Sequence, residues 1–200
     1  MEPHEDHLAV VKHIIRYVSG TLEYGLFYKV GEQGSTGVQL TGFSDSDYAG
    51  DIDDRKSTSG MLFCLGDSPV TWHSNKQKVV ALSTCEAEYI AASGAACQGV
   101  WLARLLRSLL GLEVGVPVLK IDNKSAIDLC KNPVHHDRSK HIETKFHYIR
   151  DCVEKGKVVV DQISTKDQLA DVLTKSLGRV LFQEQRDRIG VVKLEAQRKN

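Results

Sequence analysis

The sequence predicts an α/β fold built on one mixed sheet of five strands, three antiparallel and then two parallel, flanked by helices. Three short segments with alternating apolar and polar residues follow one another between residues 38 and 74. Helical and strand patterns then alternate as far as residue 177. Hairpin-linked strands pair antiparallel, whereas strands joined through helices pair parallel, so the sheet is expected to be mixed.

The N-terminal part predicts a helix, a short strand and a linker. Apolar residues at spacings of three and four mark a helix over residues 6–18, which Gly20 ends. Residues 25–29 are a short strand candidate, and the Gly- and Ser-rich residues 31–36 are typical of a linker. We therefore expect a connector over residues 1–35, a domain over 36–178, and a C-terminal helix with a polar tail over 179–200.

The elements of the central domain follow in a clear order. Gly66 to Pro69 supplies the tight turn between the second and third strands. The predicted strands are residues 38–45, 60–65, 70–74, 118–122 and 157–163. The predicted helices are residues 84–110, 125–131, a segment bearing Ile142, Phe146, Ile149 and Val153, and 166–177.

The composition excludes several classes of protein. Lys and Arg total 26 and so do Asp and Glu, so any contact with nucleic acid must be local. Basic clusters occur at Arg55 and Lys56, at Lys76 and Lys78, and over residues 138–145, and a solvated surface explains each equally well. No apolar run is long enough to span a membrane, and no signal core begins the chain. Five cysteines without a CxxC pair are expected to be free thiols. We expect a soluble, cytoplasmic protein.

Acidic residues at strand ends and helix starts are the candidate site residues. Asp45 and Asp47 close the first strand, where alternation turns them to one face, although each alone is a common turn former. Asp122 ends an apolar strand at a helix entry, so it could be a ligand at a strand end or an N-cap. Asp171 points away from the apolar stripe of the last predicted helix, and alone it would be a surface acid.

Two glutamates at the start of the long helix have different expected roles. Ser83 and Glu86 fit a capping box, in which the Glu86 carboxylate returns to the Ser83 amide. Glu88 instead shares its face with small residues that would let the helix lie close to a sheet. A carboxylate on a packing face is costly unless it is paired or binds metal, so we favour metal binding for Glu88.

Six ordered blocks resemble the ribonuclease H region of copia-type retrotransposon polyproteins. They are residues 42–51 (GFSDSDYAGD), 55–60 (RKSTSG), 80–89 (VALSTCEAEY), 122–126 (DNKSA), 140–143 (KHIE) and 168–171 (QLAD). The resemblance extends to about residue 191 and makes residues 1–35 similar to the connector from the reverse transcriptase. No polymerase palm is present, so the chain itself is not expected to synthesise DNA.

This resemblance implies a ribonuclease H-like fold that cuts the RNA strand of RNA–DNA hybrids with two Mg²⁺ ions, which Mn²⁺ could replace. It implies that Asp45, Glu88, Asp122 and Asp171 are the catalytic metal ligands, with Asp47 as a neighbouring acid of Asp45. Ser46, Asn75 and Asn123 are weaker candidates for substrate contacts. The expected partners are the hybrid and the reverse transcriptase region of the same polyprotein, in a virus-like particle if the element is active, with the nucleus as another location.

Three questions stay open on the sequence. Cellular ribonucleases H carry a mobile His before the last acid, but residues 164–166 contain none. His141 could replace it or be a packing or capping His. The chain could also be an inactive remnant that binds nucleic acid or protein, or an integrase-like nuclease, although the retained acids and the ordered blocks argue against these alternatives.

Overall fold

The computed structural model describes residues 4–28, 39–111, 114–131 and 144–194. Its α-helices are α1 (Glu5–Gly20), α2 (Thr84–Leu110), α3 (Lys124–Lys131), α4 (Tyr148–Glu154) and α5 (Arg179–Ile189). Its strands are β1 (Tyr24–Leu26), β2 (Leu40–Ser46), β3 (Thr58–Leu65), β4 (Ser68–Lys76), β5 (Val118–Ile121), β6 (Val159–Gln162) and β7 (Val191–Lys193). Three short 3-10 helices span Thr144–His147, Thr165–Asp167 and Leu169–Leu173.

Five strands form the central sheet in the order β4-β3-β2-β5-β6. The β2, β3 and β4 strands pair antiparallel, and Gly66 adopts a positive φ of 59° in the turn between β3 and β4. The β5 strand pairs parallel with β2 and with β6. The predicted mixed sheet of five strands, three antiparallel and then two parallel, flanked by helices, is confirmed.

The main hydrophobic core lies between the sheet and the helices α2, α3 and α4. Small residues let α2 approach the strands closely, and a Cβ atom at Gly99 of α2 would lie 3.1 Å from Cε1 of Phe63 on β3. A second cluster, which includes Leu62 and Leu169, packs the 3-10 helix Leu169–Leu173 against β3. Helices therefore cover one face of the sheet, and the chain after β6 returns to contact β3 and β2.

The predicted helix over residues 166–177 is wrong. Two 3-10 helices, Thr165–Asp167 and Leu169–Leu173, occupy this segment and are separated at Gln168. The backbone at Gln168 is extended, with φ −71° and ψ 100°, because its side chain is drawn into the protein. The side chain that caps the second 3-10 helix is that of Gln168, which accepts from the Ala170 amide.

A small second sheet was not predicted. The β1 strand pairs antiparallel with β7, and Lys193 also forms an ion pair with Glu23. This pairing joins the expected connector to the C-terminal region, while the proposed division into three parts stays a prediction. The expected linker over residues 31–36, His141 and the tail at 195–200 lie outside the described residues.

No helix within these described ranges has the length and apolar character needed to cross a membrane.

Candidate active site

The site is built around Asp45, on the central strand of the sheet. Asp45 is fully buried near the end of β2, where it pairs with Gly60 of β3. A Cβ atom at Gly60 would lie 2.9 Å from Cβ of Leu173 and 3.1 Å from the Ala170 carbonyl oxygen. The absence of a side chain at Gly60 thus lets the Leu169–Leu173 helix pack directly beside Asp45.

The first turn of α2 brings Glu88 to the same place. The Ser83 hydroxyl accepts a hydrogen bond from the Glu86 amide at 3.1 Å, as predicted. The Glu86 carboxylate, however, accepts from the Leu82 amide at 2.8 Å, one residue before the expected Ser83 amide. Glu86 therefore helps to fix the entry into α2, which leaves the neighbouring Glu88 to face inward.

Glu88 is buried and electrostatically unusual. It is 6% exposed, and within the described part of the chain its Oε2 atom has no hydrogen-bond partner. Burial, together with the nearby charges of Asp45 and Asp122, raises the pKa of Glu88 to about 9. An unpaired carboxylate oxygen in such a place is costly, which points to a cation as its missing partner.

Asp122 joins this group from the end of β5. The N-cap of α3 is the next residue, Asn123, whose side-chain oxygen accepts from the Ala126 amide at 3.0 Å. The alternative role of Asp122 as the N-cap is therefore wrong, and its carboxylate is left for the site. Oxygen atoms of Asp45, Glu88 and Asp122 all lie within 4.8 Å of one another.

Asp171 reaches Asp45 through a lysine that the sequence reasoning missed. Asp171 is 5% exposed, so it is neither a surface acid nor turned away from the core. The Lys175 ammonium lies 2.9 Å from Oδ1 of Asp171 and 3.0 Å from Oδ1 of Asp45. The Thr174 hydroxyl donates to the other oxygen of Asp45. The spacing of four residues between Asp171 and Lys175 was a sequence signal for the contact between these two side chains.

Charge and burial oppose each other at this end of the site. Burial raises the pKa of Asp171, and the Lys175 ammonium offsets part of that effect. The two carboxylates raise the pKa of Lys175 well above its usual value even though burial of the ammonium acts in the opposite direction. Lys175 therefore stays charged between two buried acids.

Gln168 anchors the segment that carries Asp171. Its side chain is fully buried, and its Nε2 atom donates to the Ser44 carbonyl oxygen at 2.9 Å. A longer contact of 3.5 Å reaches the Lys120 carbonyl oxygen. Gln168 thus ties the chain after β6 to both β2 and β5, the two strands that supply Asp45 and Asp122.

The remaining predicted residues lie close by but have other contacts. The Asp47 carboxylate accepts from the Thr58 amide at 2.6 Å, which fits a structural role at the end of β2. The Ser46 hydroxyl is buried and donates to backbone carbonyls, while Gln77 donates to it. Asn75 is exposed on β4. Substrate contacts by Ser46, Asn75 and Asn123 stay predictions.

The residues present fit a hard divalent cation. Asp45, Glu88, Asp122 and Asp171 offer oxygen donors only, which suits Mg²⁺ or Mn²⁺ better than a soft metal. Glu88 contributes a buried oxygen with no partner among the described residues, and the three oxygens that converge lie at a spacing a small ion could bridge.

The chain is similar to segments of two plant transposon polyproteins. It is 43% identical over 96% of its length to the retrovirus-related Pol polyprotein from transposon RE2 of Arabidopsis thaliana, of which it covers 13%. It is 42% identical over 94% of its length to the corresponding polyprotein from transposon TNT 1-94 of Nicotiana tabacum, of which it covers 14%. The chain therefore spans about one seventh of the length of these curated relatives. No protein-family model matches it.

Among solved structures, the chain is similar to the N-terminal RNase H domain of rv2228c from Mycobacterium tuberculosis, solved as a fusion with maltose-binding protein. The two share 12% identity with a TM-score of 0.47, over 74% of this chain and 98% of that chain.

Proposed function

As a homologue of one segment of copia-type retrotransposon Pol polyproteins, this chain is, we propose, a metal-dependent ribonuclease H. Its substrate would be the RNA strand of an RNA–DNA hybrid, cut endonucleolytically during reverse transcription. The activity of the whole polyprotein lies beyond the segment that this chain matches.

The convergence of four acids from four parts of the chain carries the proposal. Asp45 comes from β2, Glu88 from α2, Asp122 from the end of β5, and Asp171 from a 3-10 helix. Three of them approach within 4.8 Å, and the fourth shares Lys175 with Asp45. Like charges gathered in a buried place repel one another unless a cation is bound, so the arrangement supports a catalytic metal site.

Asp45, Glu88, Asp122 and Asp171 would hold the ions. In a two-metal site, bound ions lower the pKa of the attacking water and stabilise the leaving oxygen of an in-line displacement. The protein's own contribution is to hold the ligands still. Thr174 fixes Asp45, and Gln168 fixes the segment that carries Asp171.

The surface beside the site supports binding of a nucleic acid. A groove between β4 and α2 contains Asn75, Lys78 and Lys145, and it also includes Gly60, which pairs with Asp45. Lys78 and Lys145, which belong to two of the basic clusters named from the sequence, thus line one groove. Local basic residues can bind phosphates although the whole chain has no net charge. Selectivity for RNA would require a contact with the 2′-hydroxyl group, for which Asn75 is an exposed candidate.

The test is cleavage of an end-labelled RNA–DNA hybrid by the purified chain in Mg²⁺. Glu88→Gln should remove turnover, and Glu86→Gln is the matched control on the same helical turn. EDTA should abolish cutting, while Mn²⁺ should restore it. Cutting that persists in EDTA would overturn the metal mechanism. Hybrid binding without cutting under any metal condition would instead support the inactive remnant.

The reverse transcriptase region of the same polyprotein is the proposed protein partner, and the cytoplasm or a virus-like particle is the proposed location. Both proposals follow from the homology to Pol polyproteins. Co-purification of this chain with a separately expressed reverse transcriptase segment would test the first.

A further inference from the structure

Lys175 places a protein cation inside the carboxylate cluster. Its ammonium nitrogen is 3.0 Å from Asp45 and 2.9 Å from Asp171, and both acids are buried. The Lys175 side chain itself keeps 37% of its surface exposed. Lys175 therefore begins at the protein surface, and its ammonium contacts two buried carboxylates.

The local backbone directs Lys175 to this position. The amides of Thr174 and Lys175 donate to the Asp171 carbonyl oxygen at 3.1 and 2.9 Å, which closes a single turn. That turn also lets the Thr174 hydroxyl bond to the second oxygen of Asp45. Both carboxylate oxygens of Asp45 thus accept a hydrogen bond from this pair of consecutive residues.

These contacts use the same atoms that a metal ion would need. Asp45 is one of the three acids whose oxygens converge within 4.8 Å, and it is the residue that Lys175 contacts. An ammonium and a divalent cation that approach one carboxylate compete for its charge and repel each other. Asp45 is fully buried, whereas Lys175 has a long exposed side chain, so Lys175 is the partner that can move.

We propose that Lys175 is a built-in counter-cation, which neutralises Asp45 and Asp171 before metal binds and must withdraw from Asp45 when a divalent ion enters. Lys175 then sets the metal affinity of the site. The inference rests on the proposed function, because it takes the four acids as metal ligands.

Removal of the ammonium should lower the melting temperature of the metal-free protein and raise the affinity of the site for metal. Without metal, Lys175→Gln leaves Asp45 and Asp171 without their cation, so the melting temperature should fall. With metal, no ammonium has to be displaced, so the ion should bind more tightly. A lysine with a purely structural role would lower the melting temperature without improving metal affinity.

The experiment is a Mn²⁺ and a Mg²⁺ titration of the full chain, followed by calorimetry and by thermal melting. For Lys175→Gln we expect the half-saturating metal concentration to drop about tenfold, equivalent to about 1.4 kcal/mol of binding free energy. Lys175→Arg, which keeps the charge, should bind metal no more tightly than the parent.

Two lysines provide matched controls. Lys155 pairs with Asp151 in the same i,i+4 arrangement, and Lys120 pairs with Asp161 two residues before Asp122. Lys155→Gln controls for loss of such a pair, and Lys120→Gln controls for loss of a positive charge beside the site. Neither should tighten metal binding as Lys175→Gln does.

NMR of the parent protein tests the inference even if Lys175→Gln does not fold. The Lys175 ammonium protons, assigned with Lys175→Arg, should be visible by NMR at low temperature because both acids protect them from exchange. Added Mg²⁺ should abolish or shift this signal. An unchanged signal at saturating Mg²⁺ would overturn the inference.

Failure of the inference and failure of the function are distinguishable. If the parent binds metal and Lys175→Gln binds it equally or more weakly, Lys175 does not compete and the inference falls while the metal site stands. If the parent binds neither ion, the proposed function and the inference fall together.

Discussion

Two regions supply the candidate site, and they hold their acids by different means. Asp45, Glu88 and Asp122 lie on or beside regular elements, β2, α2 and β5, whose backbone hydrogen bonds fix their positions. Asp171 lies on a 3-10 helix that depends on a few side-chain contacts, chiefly from Gln168 and through the space left by Gly60. The first region is part of the sheet and core. The second packs against the sheet and includes Lys175, whose ammonium pairs with Asp171.

The site can therefore be disturbed in two separable ways. Changes in the first region should remove the metal ligands themselves. Changes in the second should displace one ligand while the other three keep their arrangement, because the sheet does not depend on the 3-10 helices for its pairing.

The largest effect is expected from Glu88→Gln. It removes an acid from the central group of three, and we expect cleavage to fall by more than about a hundredfold, since changing residues that only support metal ligands already costs 10- to 100-fold. Single-turnover cleavage of a labelled hybrid measures this loss. Glu86→Gln should keep most activity and lower the free energy of unfolding by about 1 kcal/mol, because it loses one hydrogen bond to the Leu82 amide. The opposite ranking of the two variants would show that the wrong glutamate was assigned to the site.

Asp171→Asn tests the second region directly. We expect cleavage to fall by about 10- to 100-fold, with the central group of three acids still able to bind metal. Relief of repulsion alone would predict a more stable metal-free protein, but Lys175 pairs with Asp171, so we expect no gain in melting temperature. Asp167→Asn is the matched control, since Asp167 lies on the same segment but pairs with Arg188. Full activity of Asp171→Asn would remove this residue from the site.

Gly60→Ala should weaken the contact between the two regions. The added Cβ would meet Leu173, Thr174 and the Ala170 backbone, so we expect a loss of about 1–3 kcal/mol in the free energy of unfolding and a partial loss of cleavage. Gly94→Ala on α2 is the control, because nothing lies within 4 Å of a Cβ there. Chemical denaturation compares the two. Equal stability of both variants would mean that the 3-10 segment does not depend on close approach at Gly60.

Without metal, the stability of the protein should depend on pH through Glu88. The pKa of Glu88 is raised from 4.5 to about 9, so the folded protein binds more protons than the unfolded chain within that window. The contribution of Glu88 to stability is therefore present below about pH 4.5 and is lost as the pH rises toward 9. The melting temperature of the parent in EDTA should fall relative to that of Glu88→Gln between these values. Parallel profiles for the two proteins would contradict the raised pKa of the buried Glu88 carboxyl group.

The regular elements were the most predictable part of the fold. The bounds of α2 were predicted as residues 84–110, and the three antiparallel strands and the two parallel strands were predicted in their correct order along the chain. Apolar periodicity and capping residues are local signals, and they determine elements whose hydrogen bonds are themselves local. The contrast between Glu86 and Glu88 was predictable for the same reason, since both depend on position within one helical turn.

Local sequence patterns were enough to predict the sheet, its flanking helices, and the acids at the ends of those elements. The arrangement of residues 165–175 depends instead on tertiary contacts, because Gln168 forms its hydrogen bonds with Ser44 and Lys120, which are 124 and 48 residues away. Those contacts replace a predicted helix with two 3-10 helices and bury Asp171. The position of Lys175 against Asp45, 130 residues distant, also depends on tertiary contacts, because no local pattern encodes a charge pair between residues so far apart in the chain.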